Sequence, residues 1–493
     1  MRKLIPRISL MLVGILLIWL SGALHAPLHE SRRVHDLTKA EPLENAPPIV
    51  VFSTVALGGF SGFIADLLWL RAAQLQMDGE FVELVQLAEW ITRLQPRFAE
   101  GWVYHAWNLA YNMSVMFNRP EDRWRWVRHG IELLRDGGLR YNPTNPMLHR
   151  ELGWLFQHKL GSNSDQAHMF YKWAWAHEME QLFGARRRNP DFYALAQAPP
   201  TRSAVLAMRG MPELIEQLQR AGFDPFTHQW PEEDRLEEWT AIIEDHAAGD
   251  ALLQHMRLRI LRDQYRMDPV HMEALEIQHG PLDWRLPQAH AIYWASRGLR
   301  YATGHEAMAL DRMIFQSLAD AFYQGRLVHI PEEGLFLPSP NPDLWPAVMR
   351  AYDEAMERHQ QPGIQRGQVF FMNNAMTVLY TYNRLADAET LFNRLREEHP
   401  DEVTADDFET HILNQYAEHL EQLTPAQAHA FIEGMLTQQE RWLRLGDEER
   451  AAGYGRLAQQ AWSNYMADFQ DAPGAAALGL PPLEDIRRAV QTR

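Results

Sequence analysis

Apolar residues recur along most of this chain at positions i, i+3, i+4 and i+7, the spacing that places them on one face of a helix. No sustained run alternates apolar and polar residues as a half-buried strand does. Proline, glycine and Asn-Pro pairs separate the helical stretches, so we predict an all-α fold of stacked helix pairs. The predicted helices cover residues 65–78, 81–95, 99–116, 122–135, 146–160, 165–183, 288–301, 306–325, 369–382, 385–398 and 405–421.

Several of the helix pairs share one pattern of large, small and turn-forming positions. A repeat of about 34 residues with such a pattern is typical of a helical solenoid. In the first unit, Ala72 takes the small position where two helices touch, Gly79 takes the turn, and Pro96 ends the second helix. In the third unit, Leu152-Gly153-x-x-Phe156 matches the first helix of the pattern and Ala167-x-x-x-Tyr171 matches the second.

The same pattern returns far downstream, where Ala375 lies in the first helix and Ala388 and Pro400 lie in the second. On these residues the chain resembles the tetratricopeptide-repeat (TPR) superfamily over roughly a third of its length. The resemblance implies an α-solenoid of TPR-like helix hairpins whose inner groove binds a peptide or a helix of a partner protein. The chain also resembles uncharacterised bacterial membrane-anchored TPR-type proteins, through stretches such as EDRWRWV and HGPLDWRLPQAHAIYWAS. That second likeness implies a bacterial source and no particular activity.

The amino terminus has the form of an export signal. Arg2, Lys3 and Arg7 precede an uncharged apolar stretch from Ile8 to Leu24. We predict that residues 1–24 form a signal anchor in the inner membrane, with a single pass and a periplasmic body. Cleavage near Ser21-Gly22-Ala23 would instead release a periplasmic protein.

A second apolar segment runs from Ile49 to Leu70 and contains Asp66 and three glycines. We interpret its first part as packed on the body, since a charge at the centre of a membrane helix is costly. The alternative is a membrane hairpin that returns the body to the cytoplasm. The predicted organisation is 1–24 signal anchor or signal peptide, 25–62 linker with the second apolar segment, 63–183 TPR-like repeats, 184–285 irregular helical insert, and 286–493 C-terminal helical repeats.

Composition narrows the functional classes. The 493 residues include 47 basic and 64 acidic ones, a net charge of −17, which disfavours nucleic-acid binding because phosphate contacts need a basic face. The absence of cysteine excludes disulfides, zinc–thiolate sites and thiol nucleophiles. No His-Glu-x-x-His motif, EF-hand loop or phosphate loop accompanies the 22 histidines. We therefore predict no cofactor, no metal and no enzymatic activity.

Two histidine-containing stretches could in principle carry chemistry. His177-Glu178-Met179-Glu180 places carboxylates beside a histidine, but neighbours on a helix point in different directions. His279, Asp283 and His290 lie in a polar and aromatic stretch that we interpret as a helix entry, with Asp283 capping and Trp284 packing.

The inner groove implied by the resemblance is the main candidate site. Its residues lie between the packing positions of the first helix of each unit, and rigid aromatic rings beside hydrogen-bonding groups are typical of recognition surfaces. The predicted protein-binding residues are Trp69, Trp107, Tyr111, Arg150, Trp154, Gln157, His158, Asn373 and Tyr380. The predicted function is a membrane-anchored scaffold for an envelope protein or peptide. The alternative is a small-ligand-binding protein or hydrolase with a pocket between the repeats and residues 184–285.

Overall fold

The computed structural model describes residues 60–184, 191–227, 229–331, 334–403, 405–408, 410–412, 425–467 and 480–491. The predicted signal anchor at 1–24, most of the linker and most of the predicted helix 405–421 lie outside these residues. Among the helices that are described, none has both the length and the apolar character needed to cross a membrane.

The first part of the described chain, up to residue 183, consists of helices in sequence. Their bounds are α1 Phe60–Asp78, α2 Phe81–Leu94, α3 Ala99–Trp107, α4 Pro120–Glu132, α5 Leu139–Tyr141, α6 Pro146–Trp154 and α7 His168–Phe183. Three of these helices continue into wider π-helical turns, at Asn108–Met113 after α3, Leu133–Gly138 after α4 and Leu155–Leu160 after α6. Asn145 starts α6 by accepting a hydrogen bond from the amide of Leu148, and Pro146 occupies the first helical position, where its missing N–H costs nothing.

Residues 184–285 contain short helices with a core of their own. The helices are α8 Phe192–Ala196, α9 Arg202–Leu206, α10 Met211–Arg220, α11 Leu236–Glu244, α12 Gly249–Asp263 and α13 Pro269–His279. Met211, Leu214, Trp239 and Leu252 belong to this separate apolar cluster. Phe192 and Leu195 of α8, and the buried apolar side chains from Leu258 to Leu282, belong to the main core of the protein instead.

The remaining described residues are again mostly helical. Their elements are α14 Pro287–Leu299, α15 Gly304–Gln324, β1 Arg326–Ile330, β2 Leu335–Ser339, α16 Trp345–His359, α17 Pro362–Thr381, α18 Leu385–Glu398, α19 Pro425–Arg444, α20 Glu448–Ala467 and α21 Leu483–Gln491. Neighbouring helices along the chain pack in pairs, most extensively α14 with α15, α17 with α18 and α19 with α20.

The described chain is mostly helical, as predicted, and includes one pair of short strands. β1 and β2 form an antiparallel pair in which Arg326 lies opposite Ser339 and Ile330 lies opposite Leu335. Each strand has five residues that are mostly half-buried on both faces, so neither shows the alternation that marks a longer strand. Asp283 holds the pair to the body, since its carboxylate accepts a hydrogen bond from the amide of Leu327 at 3.0 Å.

Helix α6 packs directly on α14, although the whole of residues 184–285 separates them in sequence. The close approach depends on Gly153, where a methyl group would lie 2.6 Å from Sδ of Met313 and 3.3 Å from the carbonyl oxygen of Ala291. The predicted third unit therefore contacts α14 and α15, and this contact brings the groove face of α6 beside α15.

Candidate functional site

Four of the predicted groove residues form a continuous stack of rings, which we call the aromatic ladder: Trp107, Tyr111, His158 and Trp154. The ring centres of Trp107 and Tyr111 are 4.6 Å apart, those of Tyr111 and His158 are 5.8 Å apart, and those of His158 and Trp154 are 4.8 Å apart. A hydrogen bond of 3.0 Å joins the hydroxyl of Tyr111 to Nδ1 of His158. Tyr111 and His158 both lie in π-helical turns, a feature common at functional sites.

Hydrogen bonds and charges behind the rings hold the ladder in place. The indole N–H of Trp107 donates to Oε2 of Glu151 at 2.9 Å, and Glu151 in turn pairs with Arg150 at 2.7 Å. The ammonium of Lys159 lies 4.9 Å from the ring centre of Tyr111, close enough for a cation–π interaction. Burial and the charge of Lys159 lower the pKa of His158, so its imidazole is mainly neutral at neutral pH.

Lys159 itself is held by a buried ion-pair network. Its ammonium lies 2.6 Å from Asp165, and the guanidinium of Arg123 lies 3.1 Å from the same carboxylate. Burial alone would raise the pKa of Asp165, but the hydrogen bond from Lys159 and the neighbouring charges hold that pKa below its usual value. The ladder therefore rests on a charged and ordered support.

A cavity of about 730 Å³, here called cavity A, opens at the Trp107 end of the ladder. Trp69 and Tyr104 form part of its wall, with ring centres 5.0 Å apart, and the hydroxyl of Tyr104 donates to Oε1 of Gln76 at 2.7 Å. The indole N–H of Trp69 is buried and has no hydrogen-bond partner among the described residues. Cavity A thus combines aromatic surface with an unused donor.

A second cavity of about 350 Å³, here called cavity B, opens at the Trp154 end of the ladder. Trp154, Gln157 and His158 form one side, and side chains of α15, α16 and α17 form the other. The lining residues on that other side include Gln316, Asp320, Tyr323, Tyr352, Phe370 and Phe371.

The remaining predicted residues occupy different positions. Gln157 is buried and donates to Oγ of Ser317 at 3.1 Å, so it links the end of α6 to α15 as well as lining cavity B. Asn373 lies away from the ladder, in a separate cavity that shares Phe370 with cavity B. Tyr380 was predicted to face the groove but has no exposed surface, because α17 is packed by α16, α18 and α20.

Sequence reasoning missed the contribution of α15 to this site. Gln316, Asp320 and Tyr323 follow the spacing i, i+4 and i+7, so they share one face of the helix. That spacing was visible in the sequence. Only the packing of α6 beside α15 shows that the face points towards Trp154.

The histidine-containing stretches have structural partners. Asp283 receives hydrogen bonds from Arg285 at 2.7 and 2.9 Å, while Nε2 of His290 lies 2.9 Å from the carbonyl oxygen of Trp284. Glu178 accepts from Tyr265 and Glu180 pairs with Arg285, so these two carboxylates of the other stretch diverge. Within the described ranges, no group of three or more histidines or acids is placed to hold a metal ion.

The junction between the helices of residues 63–183 and residues 184–285 contains a further cavity of about 440 Å³, here called cavity C. Most of its charged side chains pair with each other, as Arg128 does with Glu178 at 3.4 Å and Arg135 with Asp136 at 2.7 Å. The indole N–H of Trp175 is buried beside this cavity and has no hydrogen-bond partner in the described part of the chain.

Comparisons with protein-family models, with curated proteins and with solved structures found no match to this chain.

Proposed function

We propose that this protein is a membrane-anchored, TPR-like scaffold that binds another protein of the bacterial cell envelope, as an assembly or export factor. The aromatic ladder, with a cavity at each end, is the observation that supports the proposal best. A segment of the partner lies along the ladder and places side chains in cavities A and B.

The α-solenoid arrangement is part of this proposal. The small residues expected at helix contacts, Ala72, Ala106, Ala375 and Ala388, are all fully buried, as close packing of paired helices requires. Neighbouring helices also pack in pairs along most of the described chain. Such an array offers a long concave surface and no enclosed reaction centre.

The ladder suits protein recognition for a physical reason. Its four rings already pack against one another, and three of them, those of Trp107, Tyr111 and His158, are hydrogen-bonded, so little side-chain entropy is lost when a partner binds. Trp107 remains 38% exposed although its indole N–H is bonded, which leaves its ring face available. Tryptophan and tyrosine are also the residues that most often dominate binding energy at protein interfaces.

The direct test is recovery of the partner from a detergent extract with the variant Trp107→Ala plus Trp154→Ala. We expect recovery to fall at least about tenfold, since aromatic anchors commonly cost 2 kcal/mol or more when truncated. Trp173→Ala is the matched control, because Trp173 is 43% exposed and lies outside both cavities. Unchanged recovery with the double variant would show that the aromatic ladder does not bind the partner.

The anchor and the orientation of the body are tested separately. Protease treatment of spheroplasts digests a periplasmic body and spares a cytoplasmic one. Digestion with the amino-terminal segment still in the membrane supports a single-pass anchor. Protection of the body would favour the two-segment hairpin instead.

Cavity C gives the alternative function a location. A small-ligand-binding protein or hydrolase would use the buried indole N–H of Trp175 beside the charged side chains there. Because most of those charges already pair with each other, we favour the scaffold. Metal analysis of the purified protein separates the two, since a stoichiometric transition metal has no role in a scaffold.

A further inference from the structure

Asp320 is the feature of cavity B that the scaffold proposal leaves unexplained. Among the described residues that line this cavity, it alone carries a formal charge at neutral pH, because His158 is mainly neutral there. The other lining side chains are aromatic, amide, hydroxyl or small. The cavity therefore presents one negative charge inside a largely uncharged wall.

The carboxylate of Asp320 has no ion pair or hydrogen bond within the described part of the chain. Lys172 acts on it electrostatically, but the ammonium of Lys172 bonds elsewhere, to Nδ1 of His168 at 2.9 Å and the carbonyl oxygen of Ser162 at 3.3 Å. Burial raises the pKa of Asp320 to about 6, and Lys172 partly opposes that rise. An unpaired carboxylate in such a place is unfavourable unless a ligand compensates it.

Aromatic rings line the same cavity as this carboxylate. The ring centre of Phe371 lies 6.1 Å from that of Tyr323 and 6.3 Å from that of Tyr352, and Trp154 lines the opposite side. Aromatic faces attract cations, most strongly where water is excluded. The hydroxyl of Tyr323, which also lines the cavity, is buried and has no hydrogen-bond partner in the described ranges.

We infer that cavity B binds an organic cation, a primary ammonium or a guanidinium group, which pairs with Asp320 and is enclosed by the aromatic rings of the cavity. The inference deepens the proposed function, because a lysine or arginine of the bound protein segment supplies such a group. A free amine has the same chemistry.

The test uses the full-length protein in detergent with three defined probes. These are n-butylammonium, the capped peptide acetyl-Ala-Lys-Ala-amide and its norleucine analogue, which has the same shape without the charge. Binding is followed by saturation-transfer NMR and by calorimetry. We expect the lysine peptide to bind at least about tenfold more tightly than the norleucine peptide, since only the lysine side chain can form an ion pair with the half-buried carboxylate of Asp320.

Two substitutions of carboxylates locate the site. Asp320→Asn should weaken binding of the lysine peptide at least about tenfold. Glu306→Gln should leave it unchanged within about twofold, because Glu306 is an exposed carboxylate on the same helix and an exposed pair contributes little. Equal binding of the two peptides, or equal loss in both variants, would overturn the inference.

A gain of affinity provides a check that does not depend on a loss of folding. Gln316 lines cavity B and is exposed, so Gln316→Glu adds a second negative charge at the mouth of the cavity. We expect this variant to bind the lysine peptide at least about threefold more tightly than the wild-type protein at low salt. At high salt the gain in affinity should disappear. A variant that binds more weakly than the wild-type protein contradicts the inference.

The probes also distinguish a free amine from a peptide side chain as the source of the cation, and they test the cation site separately from the proposed scaffold function. Binding of n-butylammonium as tight as that of the lysine peptide assigns cavity B to a free amine, and much weaker binding assigns it to a peptide side chain. If the tryptophan double variant loses its partner and no probe binds, the scaffold stands and the cation site falls. If the probes bind through Asp320 and the tryptophan double variant recovers its partner unchanged, the cation site stands and the ladder as partner-binding surface falls.

Discussion

Gly153 allows the most direct test of how the structure assembles the site. It lies where α6 crosses α14, and a methyl group there would be 2.6 Å from Sδ of Met313 and 3.3 Å from the carbonyl oxygen of Ala291. Non-bonded heavy atoms are normally about 3.5–4.0 Å apart, so Gly153→Ala forces Met313 to move by about 1 Å.

The magnitude follows from two opposing effects. Overpacking of a core costs about 1–3 kcal/mol, whereas replacing a helical glycine by alanine returns about 1 kcal/mol. We therefore expect Gly153→Ala to lower the free energy of unfolding by up to about 2 kcal/mol. Gly434→Ala is the matched control, because Gly434 lies within α19 with open space around it, and it should stabilise the protein by about 1 kcal/mol.

Hydrogen–deuterium exchange of the full-length protein in detergent measures the effect where it arises. Peptides that cover α6 and α14 should exchange faster in Gly153→Ala, while those of α19 should exchange more slowly in Gly434→Ala. A double-mutant cycle with Met313→Ala should show that the two losses are less than additive, because the second substitution removes the overlapping sulfur. Stabilisation by Gly153→Ala, or strict additivity in the cycle, would refute the close approach of α6 to α14 and to Met313 of α15.

Three further outcomes concern buried charges and are measured by urea unfolding. Asp283→Ala leaves the buried guanidinium of Arg285 without its main partner and should lower the free energy of unfolding by about 3–5 kcal/mol. The control Asp343→Ala breaks an exposed ion pair and should lower it by less than about 1 kcal/mol. Similar losses in the two variants would contradict the buried pairing. Burial lowers the pKa of His290 to about 4, below the value of about 6.5 in the unfolded chain, so the unfolded state binds the extra proton and stability should fall as the pH drops from 6.5 to 4. Burial likewise lowers the pKa of four other histidines, His105, His149, His271 and His279, and they add to this effect. A urea midpoint that stays constant between pH 6.5 and pH 4 would contradict the prediction. The pKa of Asp320 is raised from about 3.8 to about 6 in the folded state, so the cost of its charge develops as the pH rises from about 4 to 6 and is complete above 6. Asp320→Asn should therefore stabilise the protein by about 2–3 kcal/mol at pH 7.5 and have little effect near pH 4. Destabilisation at pH 7.5 would show that the carboxylate has a structural partner.

Much of the aromatic ladder could be predicted from the sequence because its spacing is local. Trp107 and Tyr111, like Trp154 and His158, are four residues apart, and side chains at that separation lie on one face of a helix. The small positions such as Ala72 could be predicted for the same reason, and they are fully buried. Tyr380 shows the limit of this reasoning, since helical spacing does not reveal how many neighbours a helix has.

The helical character of the described chain and the faces on which the ladder residues lie could be predicted from local spacing, because helical periodicity repeats every few residues and needs no distant contact. Tertiary structure alone decided that α6 contacts α14 and α15 across residues 184–285, that two short strands attach through Asp283, and that Asp320 faces Trp154. These pairings depend on which apolar faces bury each other after the chain folds. That choice is made between segments far apart in sequence, where local spacing carries no information.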